Sequence, residues 1–340
     1  MDGIKRANGH KIDGILPIAR PPMPGPRPTE DDVGFDLEAA LAAVRPLRSS
    51  VPADAHSAAT LGTEREGSAV LIDRSGLLLT IGYLIVEATD VQIGGPDGRP
   101  VTAQATGYDH ETGFGLVRTV EPLDLEPLPI AASLDRIVRD SPVVAAAHGG
   151  AGHALLAHVA ERREFAGSWE YMLSAAIFTY PLHPHWSGGA LIDRTDGTLV
   201  GIGSLFVQGV GGSGGESQGN MFVPIDLLSP IYDDLVRLGR AGKPPRPWLG
   251  MHTTEALGHL VVAGTFDGGP ADRAGIRPGD LIDRVEDEEV KSLPGMYRRL
   301  WSLGEAGADV KLSVVRGSRV LDVFVHSADR RDFYKQPRRH

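Results

Sequence analysis

The residue types able to do chemistry gather in two short stretches. In one, His183-Pro184-His185-Trp186-Ser187-Gly188-Gly189 sets a serine hydroxyl at the head of a glycine turn, with two imidazoles just upstream. Such a turn suits a nucleophile, because glycine lets the backbone bend sharply and brings N–H groups near a reacting carbonyl. The other stretch, Asp109-His110-Glu111, offers a third imidazole flanked by carboxylates. A serine needs a base to become nucleophilic, and an imidazole with an ordinary pKa of about 6.5 is the side chain suited to that task near neutrality. His110 therefore stands as a substitute base. The pair His183 and His185 with His110 is also a donor set that suits zinc, copper or nickel. The chain has no cysteine, which excludes disulfides, a thiolate nucleophile and cysteine zinc sites. No cofactor is expected.

These groups must be held by short strands. Forty-three glycines and 25 prolines with 6% aromatics favour many turns and a β-rich chain. Gly67–Gly76 and Leu77–Ile81 read as strands joined by the turn Asp73-Arg74-Ser75-Gly76. Val91–Ile93, Val101–Ala105, Phe114–Val120, Ser141–Ala147 and Gly197–Gly203 add further strands, a pattern of antiparallel barrels. Leu37, Leu41 and Val44 recur at helical spacing and predict a short helix ending before Pro46. Val207–Gly219 is too rich in glycine and serine for a strand and reads as a loop. Ser229-Pro230 opens a helix closed by Gly239, which ends a domain.

The boundaries that follow are an arm over 1–34, a helix and linker over 35–54, a first domain over 55–241, a proline-rich linker over 242–247, a second domain over 248–327 and a basic tail over 328–340. The arm, with its run Arg20–Pro28, is expected to be mobile. A formal charge of −10 argues against general nucleic-acid binding. No apolar run reaches the length of a membrane span, about 18 residues, and the start lacks the apolar core of a secretory leader. The chain as written reads as cytoplasmic, or periplasmic if the recorded start is truncated.

Set in order, these stretches resemble the HtrA/DegP family of trypsin-like serine proteases. The turn Trp186-Ser187-Gly188-Gly189-Ala190-Leu191 is similar to its nucleophile turn, and "GSAVLIDRSGLLLTIGYLI" to its strand pair before the histidine. "VQIGGPDGRPVTAQATGYDHETGFGLV" resembles the stretch that leads to its aspartate. Trp248-Leu249-Gly250-Met251, "GPADRAGIRPGD" and Val310–Gly317 resemble a PDZ domain. The resemblance covers about residues 55–325 and implies a mainly β chain, a two-barrel trypsin-like (chymotrypsin-fold) domain followed by a PDZ domain.

It also implies Ser187 as the nucleophile position, but the histidine position is Tyr83 and the aspartate position Gly113. A phenol with an ordinary pKa of about 10 cannot serve as general base, and glycine has no side chain to orient one. The oxyanion hole would come from the N–H groups of residues 185 and 187, where His185 replaces a glycine whose positive φ a Cβ disfavours. The loop Trp248-Leu249-Gly250-Met251 would capture a C-terminal carboxylate on backbone N–H groups, with the helix around Gly295–Leu303 as the facing wall. The resulting expectation is an inactive homologue that binds polypeptide C-termini or unfolded protein, with a homo-oligomer as its candidate assembly. Its rivals are an active endopeptidase with a rearranged base, and a metal-binding protein.

Overall fold

The computed structural model describes residues 6–7, 10–11, 23, 25–210 and 218–335. Two compact units emerge, one from residues up to 163 with 175–242, the other from 164–174 with 243–335.

Most of the arm lies outside the described residues; Arg6–Ala7 (β1) pairs antiparallel with His10–Lys11 (β2). Its last part is not mobile as expected but docked. Leu156 N–H donates to Pro26 O at 2.9 Å, and Gly34 N–H donates to Arg194 O at 3.2 Å. Helix α1 (Leu37–Ala42), capped by Asp36, stops before Val44, earlier than its spacing suggested. The reason is the strand that follows. Val44–Ser50 (β3) pairs on both sides and buries Val44 and Leu47, while Arg45 Nε donates to Gly94 O at 2.8 Å. The barrel therefore begins upstream of residue 55.

After the short helix α2 (Ala58–Leu61), β4 (Glu64–Asp73), β5 (Leu77–Ile81), β6 (Asp90–Gly94), β7 (Pro100–Tyr108) and β8 (Phe114–Thr119) close a barrel in the order β3-β4-β5-β8-β7-β6. The β4–β5 turn forms as read, with Gly76 at φ +83° and Asp73 Oδ1 accepting from Ser75 N–H at 2.7 Å. A second barrel follows from β9 (Pro142–Ala146), β10 (Ala154–Gly167), β11 (Tyr171–Tyr180), β12 (Ala190–Asp193), β13 (Leu199–Gln208) and β14 (Gln218–Pro224). Closure leaves no unpaired sheet edge, and Val144, Ile177, Ile192 and Phe222 fill the interior. The expected loop is partly ladder: Val207 pairs with Gly219 and Gln208 with Gln218, and 211–217 lie outside the described residues. The domain-ending helix starts later than read, because Ser229–Ile231 forms a 3-10 turn before α3 (Tyr232–Leu238).

In the second unit β15 (Met251–Ala256), β16 (His259–Thr265), β17 (Leu281–Val285), β18 (Glu288–Glu289), β19 (Asp309–Arg316) and β20 (Arg319–His326) form a sheet ordered β15-β16-β17-β19-β20, with β18 on β17. Helices α4 (Pro270–Arg273) and α5 (Leu293–Trp301) complete it, and Leu249, Val262, Met296, Leu300, Leu312 and Val314 are buried in its core. The ends of β10 and β11, residues 164–174, belong to this unit. The tail is not simply solvated: Trp248 and Ala328 exchange backbone hydrogen bonds, and Phe333 packs on Trp248 with ring centroids 5.0 Å apart. Among the described residues no helix is long and apolar enough to cross a membrane.

Candidate functional site

Ser187 sits on the turn before β12, only 6% exposed. Its C=O accepts from Ser68 N–H at 2.8 Å, and Gly188 and Gly203 tie the turn to β13. Gly188 takes φ +69°, and a Cβ there would stand 2.0 Å from Ser68 O, so the turn admits only glycine. Ser187 is thus held on a turn that depends on glycine at 188.

A phenol stands beside its hydroxyl. Tyr83 is presented by the 3-10 turn Gly82–Leu84 after β5, a turn that can pass only because Gly82 has no Cβ to meet the Tyr108 ring at 1.9 Å. Tyr83 Oη lies 3.0 Å from Ser187 Oγ and 2.9 Å from the Ser204 carbonyl oxygen. A phenol has one proton and a carbonyl can only accept, so that proton goes to Ser204 and the serine hydroxyl is left to donate to the phenol oxygen. Burial pushes the Tyr83 phenol above its ordinary value, against the hydrogen bonds with Ser187 and Trp186 that lower it. Tyr83 therefore stays protonated, and the Ser187 proton faces an oxygen too weakly basic to take it.

Gly113 closes a tight turn at φ +84°, its N–H bonded to Asp109 O at 2.9 Å and its C=O accepting from Gly82 N–H at 2.7 Å. Asp109 is spent inside this turn, its Oδ2 accepting from Thr112 N–H at 2.7 Å. His110 packs against Tyr108, with ring centroids 4.4 Å apart.

The oxyanion position departs from expectation in its cause. His185 is not among the residues with positive φ, so its Cβ is no burden. Instead its N–H donates to His183 Nδ1 at 3.1 Å. His183, 1% exposed, is fixed by Asn220, whose Oδ1 accepts from its N–H at 2.7 Å, and by His153 O, 3.0 Å from Nε2. Those contacts assign the neutral tautomer with the proton on Nε2, and burial pulls the ring down to about 4. With Nδ1 and Nε2 both engaged, His183 has no lone pair for a metal. Among the described residues no group of three or more His, Asp or Glu could hold a metal ion, so His110, His183 and His185 do not form the donor set that their types suggested.

Residues missed in the sequence stand around the serine. Ser68 Oγ is 3.1 Å from His148 Nδ1, and the rings of His148 and His153 stack at 6.4 Å, those of His153 and His185 at 5.6 Å. The signal was available in the histidines at 148, 153, 183 and 185, but only the barrel closure brings them together.

In the loop Trp248-Leu249-Gly250-Met251, Gly250 takes φ +74°. A carboxylate is already bound there. Glu170 Oε2 accepts from Leu249 N–H at 2.9 Å, and Oε1 accepts from Gly250 at 2.7 Å and Met251 at 2.9 Å.

Against known proteins, a model of the trypsin-like peptidase domain matches residues 67–202 and a model of the PDZ domain matches residues 247–326. Protease Do-like 1, chloroplastic, of Arabidopsis thaliana is 28% identical over 274 residues, covering 74% of this chain and 61% of that protein. The periplasmic pH-dependent serine endoprotease DegQ of Escherichia coli is 26% identical over 273 residues, covering 76% and 58%. The chain thus spans less than two thirds of the length of these relatives. A solved structure of the HtrA-type protease AlgW with a decapeptide matches with a TM-score of 0.50 at 21% identity, covering 87% of this chain and 99% of that one, which is a likeness of fold. A trypsin-like peptidase domain followed by a PDZ domain, on this mainly β fold and among these relatives, places the chain with the HtrA-type proteases.

Proposed function

We propose that this HtrA-type homologue binds polypeptide without cleaving it, through the PDZ loop Trp248–Met251 and the cleft at Ser187. The observation that carries the reading is the Tyr83 hydroxyl, 3.0 Å from Ser187 Oγ where a base is required. Because triad members act as a unit, loss of the base forfeits most of the rate, and what remains rests on binding and the oxyanion hole. That remnant is reduced as well, since the His185 N–H is bonded to His183.

A fluorophosphonate probe and casein test this directly. The native protein is expected neither to label rapidly nor to hydrolyse casein above a Ser187→Ala control. Stoichiometric labelling at Ser187 would overturn the reading.

The names of the relatives favour a second reading, an active serine endopeptidase with a rearranged base. The intact turn at Ser187 and Gly188 is consistent with it. Labelling that disappears in His110→Ala would identify that base. Several bacterial relatives are named periplasmic, which favours the periplasm over the cytoplasm for this chain; fractionation of cells decides between them. A C-terminal carboxylate on three backbone N–H groups predicts that amidating a bound peptide weakens it severalfold or more.

A further inference from the structure

Residues 167–170 trace, within the second unit, the path that an added peptide strand would take. Thr253 N–H on β15 donates to Ser168 O at 2.9 Å, the backbone bond that strand addition requires. Two residues on, the Glu170 carboxylate reaches the three N–H groups of Leu249, Gly250 and Met251. From the facing helix α5, Tyr297 O–H donates to Gly167 O at 2.7 Å and its oxygen accepts from Glu170 N–H at 3.2 Å. Arg330 Nη1 donates to Trp169 O at 3.1 Å. The segment is thus gripped on both walls and at the carboxylate loop, by side chain and backbone alike.

Glu170 also bears the marks of a residue held for this contact. Its backbone takes φ +56°, uncommon for a residue with a Cβ, which turns the chain away so that the side chain, not a chain end, enters the loop. It is 7% exposed, and burial pushes its carboxyl up, against the loop N–H groups and Arg330 that lower it. A glutamate on a hairpin has no reason to leave water for this position unless the donors there need an acceptor. Ala166 and Met172, on either side of the tip, pack against the core of the same unit.

We infer that Ser168-Trp169-Glu170 is a built-in ligand of the PDZ loop, so that an external peptide with a free C-terminus binds only by displacing the Glu170 carboxylate. The inference rests on the reading of Trp248–Met251 as a carboxylate site. It makes the observed state the closed one, and gives the protein a switch whose input is a newly exposed polypeptide C-terminus. Tethered to its site, the segment competes at an effective concentration no free peptide matches without a higher intrinsic affinity.

The test uses the full chain and a fluorescein-labelled peptide copying residues 163–169 followed by a C-terminal valine, as free acid and as amide. Glu170→Ala is expected to bind the free acid at least about tenfold more tightly than the native protein, because its competent state is no longer masked. Glu170→Gln, which keeps the shape but not the charge, is expected to fall between. Hydrogen exchange provides a measurement that needs no variant: saturating the native protein with the free acid should deprotect residues 166–172. Equal affinities for native protein and Glu170→Ala would overturn the inference, as would binding to the native protein that leaves 166–172 protected. If no form of the protein prefers the free acid to the amide, the carboxylate reading of the loop itself fails, and the built-in ligand falls with it.

Discussion

Acid should loosen the serine site through His183, and the structure says by how much. The ring is neutral, with Nε2–H donating to His153 O and Nδ1 accepting the His185 N–H. A second proton can enter only at Nδ1, where it would replace an acceptor by a donor facing another donor. Burial lowers the ring from its ordinary 6.5 to about 4, the neighbouring charges of His185 and His153 adding to the effect. Between those values the unfolded chain holds a proton on this residue that the folded chain does not. Stability from His183 is therefore fully present above pH 6.5, falls as the pH drops, and is lost once the pH has passed through about 4. At about 1.4 kcal/mol for each tenfold difference in proton affinity, the loss comes to roughly 3 kcal/mol. Urea unfolding of the native protein and His183→Gln at pH 7 and pH 4 measures it. The variant loses buried hydrogen bonds and is the less stable at pH 7, but the gap should shrink by roughly 3 kcal/mol at pH 4. A gap that does not change with pH, or an imidazole titration of His183 near 6.5 in the folded protein, would refute the reasoning.

Three further outcomes follow from the same geometry. Gly188→Ala puts a Cβ 2.0 Å from Ser68 O at a positive φ, and is expected to destabilise by about 3 kcal/mol or more, seen as a fall in Tm. Asp280 is buried and takes two bonds of 2.7 Å from Arg316, so Asp280→Asn should lower the midpoint of urea unfolding, with Arg316→Lys lowering it less. Tyr83→His with Gly113→Asp should restore little fluorophosphonate labelling of Ser187, because the residue-185 N–H stays on His183; adding His185→Gly, which frees that peptide to turn, should raise it measurably.

Much of this protein is written locally. The glycine turn at Ser187, the Asp73–Gly76 hairpin and the Gly250 loop depend on conformations that glycine alone adopts easily, and a reader of residue types can find them. The absence of histidine at 83 and of aspartate at 113 is equally plain in the sequence, because a missing side chain needs no fold to be seen. What the sequence could not show is how freed groups are re-used across long separations. Val44–Ser50 reads as a helix end and linker until two neighbouring strands claim its backbone. His185 reads as a strained residue, whereas its real effect is a hydrogen bond to His183, set by Asn220 from a strand closing the barrel. Glu170 has no signal at all: its carboxylate meets Leu249, Gly250 and Met251 about 80 residues away, and only the tertiary structure brings a hairpin tip to that loop. Local conformational preference acts within a few residues and is legible there, while the partners of buried polar groups are chosen by the packing that removes water from them.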